Sequence, residues 1–320
     1  MKFKNFEVKG YAALAPMAGV ADRAFREICL EYGAGYTVSE MISSKAVTMG
    51  DKKSKGLMKL TEKEYPCGIQ IFGNNPEIMA QSVKTVETQN PNFIDINFGC
   101  PAPKIADNGS GSALMKSPEL IGEIVKSVSS ATKLPVTAKI RAGWDENSIN
   151  AVEVAKIIEL NGAAALTIHG RTRRQMYSPP VNIDIIKEVK ENIAIPVIAN
   201  GDIEDGISAA KMFEITNCDY LMVGRGALGR PWVFSQINAY LNDGVVLPEP
   251  PVSERMRVMI KHITRICEYK GEKIGIKEAR KHAAWYIKGI RGAANYRQEI
   301  GMLSSVEQLH EIAYKICKNN

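Results

Sequence analysis

Two polar residues stand inside otherwise apolar runs: Gln70 in Ile69-Gln70-Ile71, and Lys139 in the run 136–140. A polar group in a core costs a few kcal/mol unless it is partnered. Each therefore either makes a structural hydrogen bond or faces a site. For Gln70 alone the two readings are even. Lys139 is either paired with a neighbouring carboxylate or a buried cation facing an electron-rich ring, such as the N1–C2=O2 side of a reduced flavin. Cys100 lies in a tight Gly99-Cys100-Pro101 turn. No His stands beside it in sequence, so nucleophilic catalysis is not signalled. A thiol with an ordinary pKa of about 8.5 is mostly protonated at neutral pH and suited to giving up a proton. The stretch Asn108-Gly109-Ser110-Gly111-Ser112 reads as a mobile loop over the site. His169 could hold a flavin ring or a phosphate, or be a satisfied core histidine. Asn200-Gly201-Asp202 and Gly224-Arg225-Gly226 offer unobstructed backbone amides and one guanidinium, which suit a phosphate. Residues 224–229 read GRGALG, a literal G-x-G-x-x-G. A dinucleotide fold would continue into a helix, a strand and an acidic ribose ligand. Here the chain runs to Arg230-Pro231-Trp232 and is expected to leave the barrel.

The elements that must position these residues follow from periodicity. Short apolar runs occur at 12–15, 36–39, 68–72, 93–97, 136–140, 164–168, 196–199 and 220–223, as strands buried on both faces read. Amphipathic helical patterns lie between them at 22–32, 76–88, 118–130, 148–160, 183–191 and 204–213. Asn75-Pro76 and Ser117-Pro118 each place a cap residue before Pro. Strand and helix repeated eight times predict an α/β fold, a (β/α)8 TIM barrel. In such barrels the chemistry sits at the C-terminal ends of the strands. The ends here are Pro16-Met17-Ala18, Glu40, Gln70, Asn97 to Pro101, Lys139-Ile140-Arg141, His169-Gly170-Arg171, Asn200-Gly201-Asp202 and Gly224-Arg225-Gly226. All eight bring polar groups or Gly to one rim, which weakens a purely structural reading of any of them.

Three prolines in Leu247-Pro248-Glu249-Pro250-Pro251 break the pattern. Beyond them no strand is expected, only helices at about 253–269 (capped by Ser253), 274–291 and 305–317. The predicted organisation is a catalytic barrel over 1–246 and a helical domain over 251–320. Residues 251–320 hold 14 Lys and Arg against 7 Asp and Glu, and the rest of the chain 27 against 28, so the net excess of positive charge lies in the tail. A solvated face explains any single charge run; a segregated excess raises the prospect of a polyanionic partner. Within 274–291, Ala279, Ala283, Tyr286 and Ile290 form an apolar stripe. Lys277, Arg280, Lys281, Lys288 and Arg291 fall largely off it as a basic face.

The N-terminus MKFKNFEVKGYAALAPMAG lacks the apolar core of a signal peptide, and no run is long enough to span a membrane, so a cytoplasmic location is expected. The six cysteines form no Cys-x-x-Cys pair and no zinc spacing with His. No disulfide framework and no metal are expected, and the cysteines other than Cys100 are expected to be mostly buried thiols. A monomer is expected.

Taken together, Ala15-Pro16-Met17-Ala18-Gly19-Val20, Gln70-Ile71-Phe72-Gly73, Asp95 to Pro101, Lys139-Ile140-Arg141, His169-Gly170-Arg171-Thr172 and Gly224-Arg225-Gly226 resemble the tRNA-dihydrouridine synthases. The likeness is to the bacterial B-type enzymes, whose tail carries a stretch like Ala279-Arg280-Lys281-His282, and it spans about 14–297. The resemblance implies FMN held by Pro16, Met17, Ala18, Gln70, Lys139, His169, Asn200, Gly201, Asp202, Gly224 and Arg225, with NADPH (or NADH) as reductant. It implies that Cys100 protonates C5 of a uridine whose C6 receives hydride, that Asn97 holds the uracil with Arg141 and Arg171 on the substrate side, and that the helical domain grips tRNA. Two other readings share parts of this pattern. A small-molecule flavin reductase like the dihydroorotate dehydrogenases or old yellow enzymes would not need the basic tail. A non-catalytic RNA-binding barrel would not need Lys139, Cys100 and a flavin-type rim.

Overall fold

The computed structural model describes residues 1–4 and 6–320. Eight parallel strands close into a barrel: β1 (Ala12–Leu14), β2 (Thr37–Val38), β3 (Cys67–Phe72), β4 (Phe93–Asn97), β5 (Val136–Arg141), β6 (Ala165–His169), β7 (Val197–Asn200) and β8 (Tyr220–Val223). β2 pairs with both β1 and β3, and β8 pairs with β1, which shuts the ring. A second short segment, Ile42–Ser43, continues the β2 side along β3. The predicted (β/α)8 architecture is therefore the fold.

Alternation along the strands divides the two cores. Ile94 and Ile96 of β4, Ala138 and Ile140 of β5, and Leu166 and Ile168 of β6 belong to the large apolar layer between strands and helices. The alternate set points to the barrel axis and rises from an apolar floor to a polar rim. The floor holds Phe93, Ala165, Ile198 and Tyr220. An N-terminal hairpin, Lys2–Phe3 with Phe6–Glu7, contributes Phe3 to it, 5.5 Å edge-on from Phe93. Gly68 makes room for that ring, since a Cβ there would lie 2.2 Å from it. One step higher, Gln70 pairs in register with Asp95, and Asp95 with Thr137. One step higher again, Asn97 is level with Lys139, and His169 with Asn200. Strand register alone thus stacks the chemistry at one end.

Helices α1 (Arg23–Glu31), α2 (Pro76–Glu87), α3 (Pro118–Ser130), α4 (Ala151–Leu160), α5 (Ile183–Asn192) and α6 (Gly206–Thr216) follow the predicted pattern. Asn75 caps α2 through Ile78 N, whereas Ser117 makes no side-chain cap. The unit after β2 carries two short helices, Ser44–Thr48 and Lys52–Met58, instead of one. The expectation that the chain leaves the barrel at Trp232 is corrected: α7 (Val233–Asp243) is the eighth barrel helix. It is tied to the β1–β2 side by Ser235 Oγ to the Tyr32 carbonyl and Asn238 Nδ2 to that of Gly33. Pro231 precedes this helix instead of ending the unit.

After the proline linker come α8 (Val252–Lys270), α9 (Glu272–Tyr286), α10 (Ala293–Gly301) and α11 (Val306–Asn319). α8 begins at Val252 with no side-chain cap, so Ser253 is not its cap residue. α9 ends five residues before the predicted 291, and α10 was not predicted. These helices share an apolar core that includes Ala24 and Ile28 of α1 and Trp232. Ala279, Ala283, Tyr286 and Ile290 are all buried in it, as the stripe requires. Arg265 bridges to Glu31 at 2.7 Å and Glu27 at 3.4 Å, Lys261 to Glu31, and Lys270 to Asp22, so tail cations dock on barrel acids.

Candidate active site

A cavity of about 520 Å³ opens at the C-terminal rim, within the range usual for small-molecule and cofactor sites. Its lining includes all of Pro16, Met17, Ala18, Gln70, Lys139, His169, Asn200, Gly201, Asp202, Gly224 and Arg225, together with Asn97, Cys100, Arg141 and Arg171. Lys277, Arg280, Lys281, Lys288 and Arg291 lie outside it. Glu40 does not line the cavity either; its carboxylate accepts from Gly19 N and fixes the loop after β1.

Lys139 rises from β5 and donates to Asn200 Oδ1 at 2.9 Å. Among the described residues no carboxylate lies within 4 Å of it, so it is not the half of an ion pair that sequence left open. Burial, then the Arg141 charge, brings its pKa down to about 7, with Asp95 acting in the opposite sense. Asn200 is locked by a second bond, Nδ2 to the Met222 carbonyl at 2.7 Å. His169 is held neutral, its pKa pushed far down by burial and then by the surrounding Lys139, Arg141, Arg171 and Arg225. Its Nε2 lies 3.3 Å from Arg171 Nη1, which can only donate, so the ring proton belongs on Nδ1.

The Cys100 turn is held from three sides. Asn97 Oδ1 accepts from Gly99 N at 3.0 Å and Cys100 N at 2.8 Å. Arg141 Nε donates to the Gly99 carbonyl at 2.8 Å. Ser112 N donates to the Cys100 carbonyl at 3.1 Å. This last bond corrects the expectation of a mobile 108–112 loop. Ser110, Gly111 and Ser112 are buried behind the turn, and Gly111, at φ +60°, would place a Cβ 3.1 Å from that of Cys100. Burial raises the Cys100 pKa, against weaker pulls from the Ala102 backbone and Arg141, so the thiol keeps its proton. Cys29, Cys67, Cys218 and Cys267 are buried, while Cys317 is exposed.

One chain of hydrogen bonds runs beneath the turn. Thr137 Oγ1 donates to Asp95 Oδ1 at 2.5 Å, Gln70 Nε2 to Asp95 Oδ2 at 2.6 Å, and Asn97 Nδ2 to Gln70 Oε1 at 2.7 Å. Asp95 thereby fixes which way both amides face. Sequence reasoning did not single it out, although an acid in the middle of Phe93-Ile94-Asp95-Ile96-Asn97 was a visible signal. Met176 and Tyr177, which also line the cavity, lie on a loop with no such signal.

Two arginines placed on the substrate side organise loops. Arg141 Nη1 donates to the Thr172 carbonyl at 2.9 Å. Arg171 donates to the Pro179 carbonyl at 2.7 Å and pairs with Asp202 at 2.6 Å. Asp202 also accepts from Arg225 Nη2 at 3.2 Å, so it orients both guanidinium groups. In the tail, Arg280 is half-buried and donates twice to the Leu303 carbonyl, at 3.0 and 2.6 Å, which removes it from the expected exposed basic face. Lys288 and Arg291 lie beyond the end of α9, in the turn before α10. Lys277 and Lys281 are exposed on α9 itself. The final glycine of GRGALG serves the domain interface: a Cβ on Gly229 would lie 2.4 Å from the Trp285 backbone.

Residues 13–319 match the profile of the dihydrouridine synthase family. Among individual relatives, the chain is 42% identical over 305 residues to "tRNA-dihydrouridine synthase B" of Vibrio vulnificus, covering 95% of each. It is 44% identical over 287 residues to the protein of that name from Shewanella oneidensis, covering 90% of this chain and 89% of the relative. A "probable tRNA-dihydrouridine synthase" of Rickettsia conorii is 40% identical over 306 residues, covering 95% and 92%. Among solved structures, a 2-naphthoyl-CoA reductase superposes with a TM-score of 0.60 at 11% identity, over 76% of this chain and 51% of that one. A 6-hydroxypseudooxynicotine amine oxidase gives 0.58 at 12% identity, over 81% and 52%. Those two likenesses show the shared fold alone. The family profile and the relatives at 40–44% identity decide the matter: this chain belongs to the dihydrouridine synthase family of oxidoreductases.

Proposed function

We propose that the protein reduces the C5=C6 bond of D-loop uridines in tRNA, with FMN as cofactor and NADPH as reductant. One observation carries this reading: a single cavity is lined by both a half-buried lysine with no carboxylate partner and a half-buried thiol that keeps its proton. The residues present fit FMN. Lys139 and neutral His169 suit an electron-rich ring, Pro16, Met17 and Ala18 its edge, and Gln70 its polar groups. Gly201 and Gly224 bring bare backbone to the cavity, and Arg225, half-exposed, adds a guanidinium where a phosphate would lie. When bound and reduced, the flavin supplies the hydride.

The remaining chemistry is that of the chain. The C5=C6 bond of uracil is conjugated to a carbonyl, so once C6 is reduced a proton must reach C5. Cys100 provides it; its raised pKa keeps the proton in place until that moment. The thiolate left behind is eased by the Arg141 charge. Asn97, Gln70 and Asp95 hold the turn from which the thiol projects. Asn97 presents the second N–H of its amide beside the uracil, the first being held by Gln70, while its oxygen stays on the turn's backbone. The base must leave the tRNA stack, at a cost of a few kcal/mol. The helical domain over 251–320 offsets that by holding the backbone through Lys277, Lys281, Lys288 and Arg291, while the barrel over 1–246 carries the reaction.

The test is purification followed by spectroscopy and turnover. The protein should be yellow, release FMN on denaturation, and oxidise NADPH only when unmodified tRNA is supplied for steady turnover. Protein that cannot be loaded with FMN would overturn the cofactor assignment.

A further inference from the structure

The loops after β5 and β6 zip together, Arg173 N donating to the Gly143 carbonyl at 3.0 Å and Arg174 N to that of Trp144 at 3.1 Å. Above this junction two cations share one indole. Lys116 Nζ lies 4.1 Å, and Arg173 Cζ 4.8 Å, from the centre of the Trp144 ring. Among the described residues neither has a carboxylate within 4 Å, and Arg173 Nε is buried with no hydrogen-bond partner. The nearby Asp145 is engaged elsewhere, with Arg174 at 3.7 Å and Ser148 Oγ at 2.7 Å. A single cation over an exposed ring gains only about 0.5–1 kcal/mol. Two cations gathered at one ring, with no carboxylate to offset them, leave a concentrated positive charge that an anion would neutralise.

The position of the cluster says which anion. From the mouth of the cavity the surface continues outward through Tyr177, 53% exposed, with Arg225 Cζ 4.7 Å over its ring. In a closed ring of eight strands, β5 and β6 stand opposite β1 and β2. The helical domain is docked on α1, directly after β1. The cluster therefore lies across the mouth from that domain. A nucleotide whose base enters the cavity leaves backbone on both sides of the mouth, and a flipped base is best held by both flanks.

We propose that Lys116, Trp144 and Arg173, continued by Tyr177, form a second RNA contact surface that takes backbone phosphates on the side away from the helical domain. This rests on the assignment of tRNA as substrate. The test measures binding of unmodified tRNA by the flavin-loaded full chain across a salt series, for wild type, Lys116→Ala, Lys116→Arg, and Lys116→Ala combined with Arg173→Gln. Each phosphate that a variant no longer neutralises should reduce the slope of log affinity against log salt by about one. The double variant should thus lose about two, Lys116→Arg should restore the wild-type slope, and flavin content and flavin reduction by NADPH should stay unchanged. Lys116 is exposed, so its variants keep the test valid if Arg173→Gln impairs folding. A wild-type slope in Lys116→Ala overturns this surface while leaving the tRNA assignment intact. Wild-type protein that shows no salt-dependent tRNA binding overturns both.

Discussion

Cys100 keeps its proton because burial works against the thiolate more strongly than Arg141 works for it. In the proposed reaction the proton-bearing form is the active one, so its contribution should persist through neutral pH and be lost as pH rises through the raised pKa. Cys100→Ala should lower turnover on tRNA by a factor on the order of 10²–10⁴, with FMN binding and reduction by NADPH unaffected. The alkaline limb of the pH profile should be missing from Cys100→Ser; the same limb in that variant would assign it to another group. Lys139 gives a second, independent test. Its native pKa of about 7 lies below the ordinary 10.5. Between these values the unfolded chain binds the extra proton, so flavin-free protein should gain stability as pH rises through that window. Denaturation curves of Lys139→Met should lack this gain, and its FMN affinity should fall roughly 10- to 100-fold, the worth of a charge-assisted hydrogen bond. At Asp95, an Asn would turn a donor toward Gln70 Nε2 or Thr137 Oγ1. Asp95→Asn should cost about 1–3 kcal/mol and lower turnover, because the turn carrying Cys100 loses its register. Unchanged stability and turnover would mean that the network is passive.

Most elements were legible because they obey two simple periods. Buried parallel strands read as apolar runs, and β4 and β8 fall within the bounds those runs give, Phe93–Asn97 and Tyr220–Val223. The rim residues were legible for the same reason, since alternation and the ends of strands settle which side chains face the cavity. What sequence missed has local causes. The two helices after β2 are too short to show a period, and α7 starts right after a proline that reads as a terminator. Gly-rich 108–112 looks loose, but Gly111 is there to let backbone pass close behind Cys100. Arg280 reads as a surface cation until a carbonyl 23 residues away takes up its guanidinium. Gly229 carries a test at this scale. Its φ of +65° and its contact with α9 leave no space for a methyl group. Gly229→Ala should destabilise the docking of the helical domain by about 1–3 kcal/mol, the usual range for overpacking. tRNA affinity should then fall while FMN content holds, as comparison of the KM for tRNA with the flavin-to-protein ratio would show.

Across the whole molecule, the charge split has two destinations. Lys261, Arg265 and Lys270 pair with Asp22, Glu27 and Glu31 of the barrel, so part of the tail's excess serves docking. Lys277, Lys281, Lys288 and Arg291 remain exposed around α9 and are the cations assigned to the RNA backbone. Replacing Lys277, Lys281 and Lys288 together with Ala should raise the KM for tRNA and flatten its salt dependence, leaving flavin reduction by NADPH unchanged. The central claim joins this surface to the cavity, and one measurement tests it most directly. FMN-loaded wild-type protein and Cys100→Ala are each incubated with unmodified tRNA and NADPH, and the nucleosides are then analysed by mass spectrometry. The account predicts D-loop uridine gaining two hydrogens with wild type and at most a trace with Cys100→Ala; a flavin-loaded wild-type enzyme that leaves every uridine intact would contradict it.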